Sequence, residues 1–323
     1  MQNRGDKILL GFLGFGLFVY LLSMGYEENA SADSEEDSSN IDPDTSMVRP
    51  LPDTMAVSQK NISLASYSLA AETATHWKLP RRLTEISGLA VTTDNRLLAH
   101  NDEKGIIYEI DYRNGTIVKA FQLADMAAPV ADDFEGIATV DDQIYLVTSA
   151  GRLYECSEGA DGESVLFTSY ATGVGRDCEI EGLAYDESQR ALVLMCKNPR
   201  RADLAGQLGI YHWSIDEKQL IEAAYTVIPV IEFSRHIGGK KFQPSGIERH
   251  PVSGNYFVVA ARQRAIAEIT PGGQVVAAKP FSAQWHRQAE GITFAADGAL
   301  IVADEGAGRK ARLTLYPVSG NRR

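Results

Sequence analysis

The run Glu85-Ile86-Ser87-Gly88-Leu89-Ala90 introduces a pattern that returns four more times along the chain. In each copy a serine or glutamate precedes Gly-Leu or Gly-Ile at the head of a strand-like run, and the glycines stand at positions 88, 136, 182, 246 and 291. The steps between these marker glycines are 48, 46, 64 and 45 residues. A repeat of about 40–50 residues with several short β-type runs is typical of propeller blades. The pattern therefore predicts an all-β, five-bladed β-propeller.

The last repeat has only three strand-like runs before the chain ends, so its fourth strand must come from elsewhere. The run Ile62–Ala71 precedes the first repeat and alternates enough to serve. Pairing the two ends of the chain would close the ring and remove an open sheet edge. We therefore expect the propeller to occupy residues 62–320 and to be closed by an N-terminal strand. A β-sandwich also suits short strands with regular turns, but it does not explain a marker at blade spacing.

The N-terminal region contains an apolar run from Ile8 to Met24 without a charged residue, preceded by Arg4 and Lys7. About 17–25 such residues span a bilayer as a helix, and flanking positive charge places the short side in the cytoplasm. We expect a cytoplasmic segment (1–7), a transmembrane signal anchor (8–26) and an exported propeller in the periplasm, attached to the bacterial inner membrane. A cleaved signal peptide remains an alternative, because Ala30-Ser31-Ala32 fits an A-x-A site.

Charge and composition separate the next segment from the propeller. Residues 27–61 contain nine acidic and two basic residues and are rich in Ser and Pro. Such a segment cannot bury enough apolar surface to offset the entropy of ordering, which predicts an acidic flexible linker. The whole chain has a net charge of −12 and shows no basic groove. We therefore expect no nucleic-acid partner.

The three cysteines, Cys156, Cys178 and Cys196, lack the spacing of a metal site. We expect them to be small buried hydrophobic residues rather than disulfide partners. One bridge remains open in an exported protein, because Cys178 and Cys196 fall in the same predicted repeat.

Polar residues stand two apart before each marker glycine, so each pair shares one face of a strand. The pairs are Glu85 and Ser87, Asp133 and Glu135, Glu179 and Glu181, Gln243 and Ser245, and Gln288 and Glu290. The second strand of each repeat also ends in polar residues, among them Asp102, Lys197, Arg262 and Asp304. In a propeller blade these two positions lie on the same rim. A closed ring would therefore gather the side chains at one mouth of the central channel.

Carboxylates crowded in a partly desolvated channel need a retained proton, a paired base or a bound cation. Oxygen ligands suit Ca²⁺ best, with Mg²⁺ behind it. The sequence predicts a calcium site with Glu135, Glu181, Glu290 and Asp304 as metal ligands. The other predicted ligand-binding residues are Glu85, Ser87, Asp102, Asp133, Glu179, Lys197, Ser245 and Arg262. A purely structural interpretation stays open, in which the glycines permit close packing and the polar residues cap strands or join blades.

Three of the repeats also carry a resemblance. The runs Glu85–Ala90, Asp133–Ala138 and Glu179–Ala184, together with the membrane-spanning N-terminus, resemble the YjiK or SdiA-regulated family of bacterial membrane-anchored propellers. More distantly, Phe134–Ile137 and Ile180–Leu183 resemble esterase-like phytase and gluconolactonase-type propellers. In those relatives a channel glutamate helps hold calcium, which implies that role for Glu135, Glu181 and Glu290. Ser87 and Ser245 depart from the pattern.

Two functions fit these observations. The first is a binding or scaffold module at the cell envelope that holds a divalent cation and takes a small molecule or an envelope protein as its partner. The second is a metal-assisted hydrolase of phosphoesters, lactones or other esters. In that hydrolase Glu290 or Glu181 would be base or ligand, Lys197 or Arg262 would bind an anionic substrate, and Asp304 would support the metal. No nucleophile–base motif in the sequence secures hydrolysis.

Overall fold

A computed structural model describes residues 62–125, 128–239 and 241–319 of the chain. Within these ranges the chain forms five sheets whose main strands are antiparallel, and the innermost strand of each sheet contains a marker glycine. The five sheets are the blades of a β-propeller, as the repeats predicted. The first blade consists of β2 (Ile86–Val91), β3 (Leu97–Asn101), β4 (Ile106–Asp111) and β5 (Thr116–Asp125), with the two-residue β6 (Ala128–Pro129) paired to β5.

The other four blades repeat this order from the channel outward. The second contains β7 (Phe134–Val140), β8 (Gln143–Thr148), β9 (Arg152–Ser157) and β11 (Phe167–Ala171), while the short β10 (Ser164–Val165) joins the first blade. The third contains β12 (Cys178–Asp186), β13 (Ala191–Pro199), β14 (Gln207–Ser214), β15 (Gln219–Leu220) and β16 (Thr226–Pro229), followed by the helix α1 (Val230–His236). The fourth contains β17 (Gly246–Arg249), β18 (Tyr256–Ala260), β19 (Ala265–Ile269) and β20 (Val275–Pro280). The fifth contains β21 (Ala289–Phe294), β22 (Leu300–Asp304), β23 (Arg312–Tyr316) and β1 (Thr75–Lys78).

The core lies between the blades rather than inside any one of them. All five residues of β18 and of β22 are buried, because both faces of these strands are covered by neighbouring blades. Such strands are continuous apolar runs instead of alternating ones. The outer strand β11 is mostly exposed. Packing between blades therefore fixes the channel that positions the candidate site.

An N-terminal strand closes the ring, as predicted, but it is not the segment that the sequence predicted. The strand that completes the fifth blade is β1, which pairs antiparallel with β23 from Thr75 opposite Leu315 to Lys78 opposite Arg312. The predicted strand Ile62–Ala71 was wrong. That segment instead forms two short 3₁₀ turns and buries apolar side chains, including Tyr67, between the last two blades. The Tyr67 hydroxyl donates a hydrogen bond of 2.8 Å to the carbonyl oxygen of Gly298, so this segment adds core contacts rather than a strand.

Each marker glycine lies against the next blade around the ring. A Cβ atom added to Gly136 would lie 2.5 Å from the backbone nitrogen of Leu183, and one added to Gly291 would lie 2.8 Å from Cγ of Leu89. A Cβ atom added to Gly246 would lie 2.1 Å from the carbonyl oxygen of Glu290, and one added to Gly88 or Gly182 would lie 3.2 or 3.0 Å from the nearest atom of the following blade. The structural interpretation of the glycines is therefore correct: only a residue without a side chain lets the inner strands approach this closely.

A disulfide joins Cys178 on β12 to Cys196 on β13, with a Cα–Cα distance of 5.7 Å. The expectation of three free, buried thiols was therefore wrong for two of them, and the alternative of one bridge within the third repeat is correct. The two strands pair directly, which brings the Cα atoms within the range that a disulfide spans. Cys156 remains a buried free thiol.

The predicted cytoplasmic segment (1–7), transmembrane helix (8–26) and acidic linker (27–61) lie outside the described residues. In the described ranges, no helix combines the length and the apolar character that crossing a bilayer requires. The helix α1 has seven residues.

We predict that Gly136→Ala destabilises the protein by about 3 kcal/mol, because the new methyl group must push the second and third blades apart. The matched control is Gly272→Ala, where the nearest atom to a new Cβ is 3.9 Å away and the change should stay within about 1 kcal/mol. Urea denaturation of both variants gives the free energies of unfolding. Equal stability of the two variants would show that the inner strands do not depend on their glycines.

Candidate functional site

The serine or glutamate of the repeated pattern occupies a β-bulge in four of the five inner strands. The strand register shifts at Ser87 in β2, at Glu135 in β7, at Glu181 in β12 and at Glu290 in β21. A bulged residue leaves the ladder and bends its strand, which re-aims its side chain. The bulges therefore explain why these polar side chains, rather than those of their neighbours, collect at one mouth of the channel.

In the third blade the two predicted glutamates are already paired. The Lys197 ammonium at the end of β13 donates a hydrogen bond to Glu181 and forms an ion pair with it. The amide nitrogen of Asn198 donates to Glu179 at 2.7 Å. Glu181 is 3% exposed, so its carboxylate depends on this ammonium group for charge compensation.

The glutamates of the second and fifth blades retain protons instead. Burial, followed by the negative charge of Glu181, raises the pKa of Glu135 to about 9. The same two causes raise the pKa of Glu290 to about 8. Both groups are therefore mostly neutral carboxylic acids at pH 7. Of the three forms of compensation that the sequence allowed, retained protons and the base Lys197 account for these three glutamates.

The remaining acids of the predicted rim lie toward the first and second blades. Glu85 and Asp133 are exposed, and Asp133 accepts a hydrogen bond from the Ser149 hydroxyl. Asp102 is half-buried, and its Oδ1 has no hydrogen-bond partner among the described residues. Burial and the charges of Glu85 and Glu103 raise the pKa of Asp102. This side of the mouth is therefore acidic.

Two predicted site residues are engaged inside the protein. Asp304 is buried, with Oδ2 2.7 Å from Nδ1 of His286, whose Nε2 lies 2.6 Å from the Tyr316 hydroxyl. The Ser245 hydroxyl donates to the carbonyl oxygen of Ala289 at 2.6 Å. The first set of contacts holds Asp304 within the fifth blade, and the second joins the fourth blade to the fifth. Both side chains are therefore held by partners within the protein and are not free to bind a ligand together with the three glutamates.

A basic depression adjoins Glu290 on the opposite side of the mouth. It encloses about 810 Å³ open to solvent and is lined by Lys197, Arg262, Arg264, Arg287 and Glu290, with Gln243 and Gln288 between them. The three arginines are exposed, and none has an ion-pair partner among the described residues. The sequence predicted Lys197 and Arg262 here. It missed Arg264, although a second arginine two residues after Arg262 was a usable signal.

The predicted calcium ligands can be tested against this arrangement. Glu181 is held by Lys197, and Asp304 is held by His286. Among the described residues, no three His, Cys, Asp or Glu side chains are grouped as metal ligands. As they stand, the four predicted ligands do not fit a calcium centre, and calcium binding remains a prediction.

Comparison with known proteins identifies the fold but no family. No family model and no curated protein matches the chain. Among solved structures, a glutaminyl cyclase from Myxococcus xanthus matches with 16% identity and a TM-score of 0.52 over 76% of this chain and 96% of that one. A streptogramin B lyase has 13% identity and a TM-score of 0.45, covering 75% and 97%. A gluconolactonase from Xanthomonas campestris has 13% identity and a TM-score of 0.45, covering 72% of each chain. The chain is a five-bladed β-propeller, similar in fold to that glutaminyl cyclase.

Proposed function

We propose that this protein is an exported propeller that binds a small anionic molecule at the mouth of its channel. The observation that carries the proposal is the convergence of Arg262, Arg264 and Arg287 on one depression that also holds Glu290 and Lys197. These three arginines are exposed and have no carboxylate partner among the described residues, so their guanidinium groups are available to a ligand. A carboxylate or phosphate ligand would supply the missing partner.

Guanidinium groups match carboxylates and phosphates because their planar forks donate two parallel hydrogen bonds. The neutral carboxyl group of Glu290 is compatible with such a ligand, since it can donate a hydrogen bond to an anionic oxygen. An ionised Glu290 would repel the ligand instead. The raised pKa of Glu290, about 8, keeps the group neutral at pH 7 and therefore favours anion binding there.

Export is supported by the disulfide between Cys178 and Cys196. Disulfides persist in the periplasm and outside the cell and are rare in the reducing cytosol of mesophiles. Together with the predicted anchor (8–26) and linker (27–61), this bond favours a propeller tethered to the outer face of the bacterial inner membrane. A small anionic molecule of the envelope is the partner that we propose there.

A second candidate function is acid–base hydrolysis of the bound molecule. The observation that favours it is that Glu290, with a pKa of about 8, lines an open depression. A carboxyl group with a pKa near the working pH can both give and accept a proton during a reaction. Glu181, the other predicted base, is occupied by Lys197, so Glu290 would carry the proton transfer.

We predict that citrate binds to the wild-type protein and that Arg262→Gln and Arg287→Gln each weaken the binding at least tenfold. Such a loss corresponds to about 1.4 kcal/mol, which is typical of losing a hydrogen bond between charged groups. Isothermal titration calorimetry measures the affinities. The control is Arg113→Gln, an exposed arginine at the hairpin turn of the first blade. Unchanged citrate affinity in the double variant Arg262→Gln/Arg287→Gln would contradict the proposal.

Citrate affinity should also fall as the pH rises above about 8, because Glu290 then loses the proton that makes it compatible with an anion. The carboxylates of citrate stay ionised over that range, so the change reports on the protein. In Glu290→Gln the affinity should become nearly independent of pH between 7 and 9. A decline of the same steepness in wild type and Glu290→Gln would assign the effect to another group.

If the protein hydrolyses its ligand, Glu290→Gln should lower kcat about 100-fold or more while KM changes little. The assay uses lactones, carboxylic esters and phosphoesters, each with and without added Ca²⁺. Arg113→Gln again serves as the control for folding and handling. Absence of turnover on all three substrate classes, with and without Ca²⁺, would leave binding alone as the function.

A further inference from the structure

The channel has two mouths, and an apolar ring separates them. The residue after each marker glycine is Leu or Ile, and these five side chains are buried around the axis: Leu89, Ile137, Leu183, Ile247 and Ile292. The Leu or Ile that ends each copy of the repeated pattern therefore helps to close the channel at its axis. Whatever binds at the far mouth is separated from the glutamates and arginines described above.

The far mouth contains a cup formed where the inner strands end. It encloses about 880 Å³ open to solvent, and its polar lining includes Thr139 of β7, Tyr185 of β12, Glu248 of β17 and Thr293 of β21. Each of these residues comes from a different blade. The cup thus has the same radial construction as the first mouth but a lining rich in hydroxyl groups.

Glu248 lines this cup, and none of the described residues forms an ion pair with it. Its carboxyl group accepts hydrogen bonds from the backbone nitrogen of Arg249 at 2.8 Å and from the Thr293 hydroxyl at 3.2 Å. The guanidinium group of Arg249 is turned to Asp186, with Nε 3.2 Å from Oδ1. The other charged residue that lines the cup, Glu187, is exposed and also acidic. The carboxyl group therefore has hydrogen bonds but no ion pair among the described residues, and the nearest cation, Arg249, faces Asp186.

The two threonine hydroxyl groups near Glu248 have donated their hydrogens within the protein. The Thr139 hydroxyl donates to the carbonyl oxygen of Val91 at 2.9 Å, and the Thr293 hydroxyl donates to Glu248. Their oxygen lone pairs remain free to accept. The Tyr185 hydroxyl has no hydrogen-bond partner among the described residues. An ammonium group offers three donors and one positive charge, which is what this lining lacks.

We propose that the far cup is a second binding site, for a small hydroxylated amine whose ammonium group pairs with the Glu248 carboxylate. The hydroxyl groups of the ligand would exchange hydrogen bonds with Thr139, Thr293 and Tyr185. This site is independent of anion binding at the first mouth, because the apolar ring lies between them. An anionic ligand is disfavoured here, since the exposed carboxylate of Glu187 would repel it and the guanidinium group of Arg249 faces Asp186.

Ligand binding at Glu248 should be coupled to the release of a proton. Burial in the channel raises the pKa of Glu248 to about 8, so the empty site holds a proton at pH 7. An ammonium group beside the carboxyl group favours its ionised form and lowers that pKa. Binding of a permanently protonated amine should therefore release nearly one proton per site. The charged groups around Glu248 are Arg249, Asp186 and Glu187, and the first two form a closed ion pair.

The test compares two polyols that differ in one group: glucamine (1-amino-1-deoxysorbitol) and sorbitol. Calorimetric titrations at pH 7 in buffers of different ionisation enthalpy give the affinity and the number of protons released. We expect glucamine to bind at least tenfold more tightly than sorbitol and to release about one proton. In Glu248→Gln, glucamine should lose at least tenfold in affinity and the proton release should disappear. Glu222→Gln, at an exposed glutamate in the third blade, is the matched control and should behave as wild type.

Three results would overturn the second site: no heat with millimolar glucamine, equal binding of glucamine and sorbitol, or unchanged glucamine binding in Glu248→Gln. Urea denaturation of Glu248→Gln checks that the variant is folded. A citrate titration of the same variant keeps the two proposals apart, since the anion site should survive the substitution. Conversely, glucamine binding should persist in Arg262→Gln.

Discussion

The structure depends on the close approach of neighbouring inner strands at five glycines. At three of them (Gly136, Gly246 and Gly291) a Cβ atom would lie closer than 3.0 Å to the next blade around the ring, and at the other two it would lie 3.0–3.2 Å from it. The inner strands therefore approach closely where the side chain is absent. In four of the five blades the residue before the glycine forms a bulge toward one mouth, and in all five the residue after it is a buried Leu or Ile at the axis. One packing constraint thus produces a polar mouth, an apolar ring and a second compartment.

The same constraint explains how much of the fold could be predicted. Close packing at the axis demands glycine once per blade, and that demand is visible as a period in the sequence. The closing strand has no such signature. Ile62–Ala71 and Thr75–Lys78 both precede the first blade, and the pairing of β1 is decided by distant contacts such as His76 with Thr314, at 3.0 Å. Partners so far apart in the chain leave no local pattern to read.

The same distinction applies to the candidate site: residues at the repeated position could be predicted from the sequence, and the others could not. Glu135, Glu181 and Glu290 could be placed at the mouth because they occupy the repeated position itself. The roles of Asp304 and Ser245 could not be read, because each is fixed by a partner that the repeat does not specify. Glu248 escaped notice for the opposite reason. It stands two residues after its marker glycine, where the first three blades have Ala90, Ala138 and Ala184, so the repeat gave no reason to expect a polar group there.

Closure by β1 fixes both ends of the described chain in a single blade. The chain before β1 is itself anchored, because Leu64 and Tyr67 are buried between the fourth and fifth blades. A mechanical pull transmitted along the chain toward residue 62 would therefore load these two side chains before it reached the β1–β23 ladder. The antiparallel hydrogen bonds that seal the ring are in this way shielded from tension, and the first contacts to yield would be those of Leu64 and Tyr67 rather than the ladder itself.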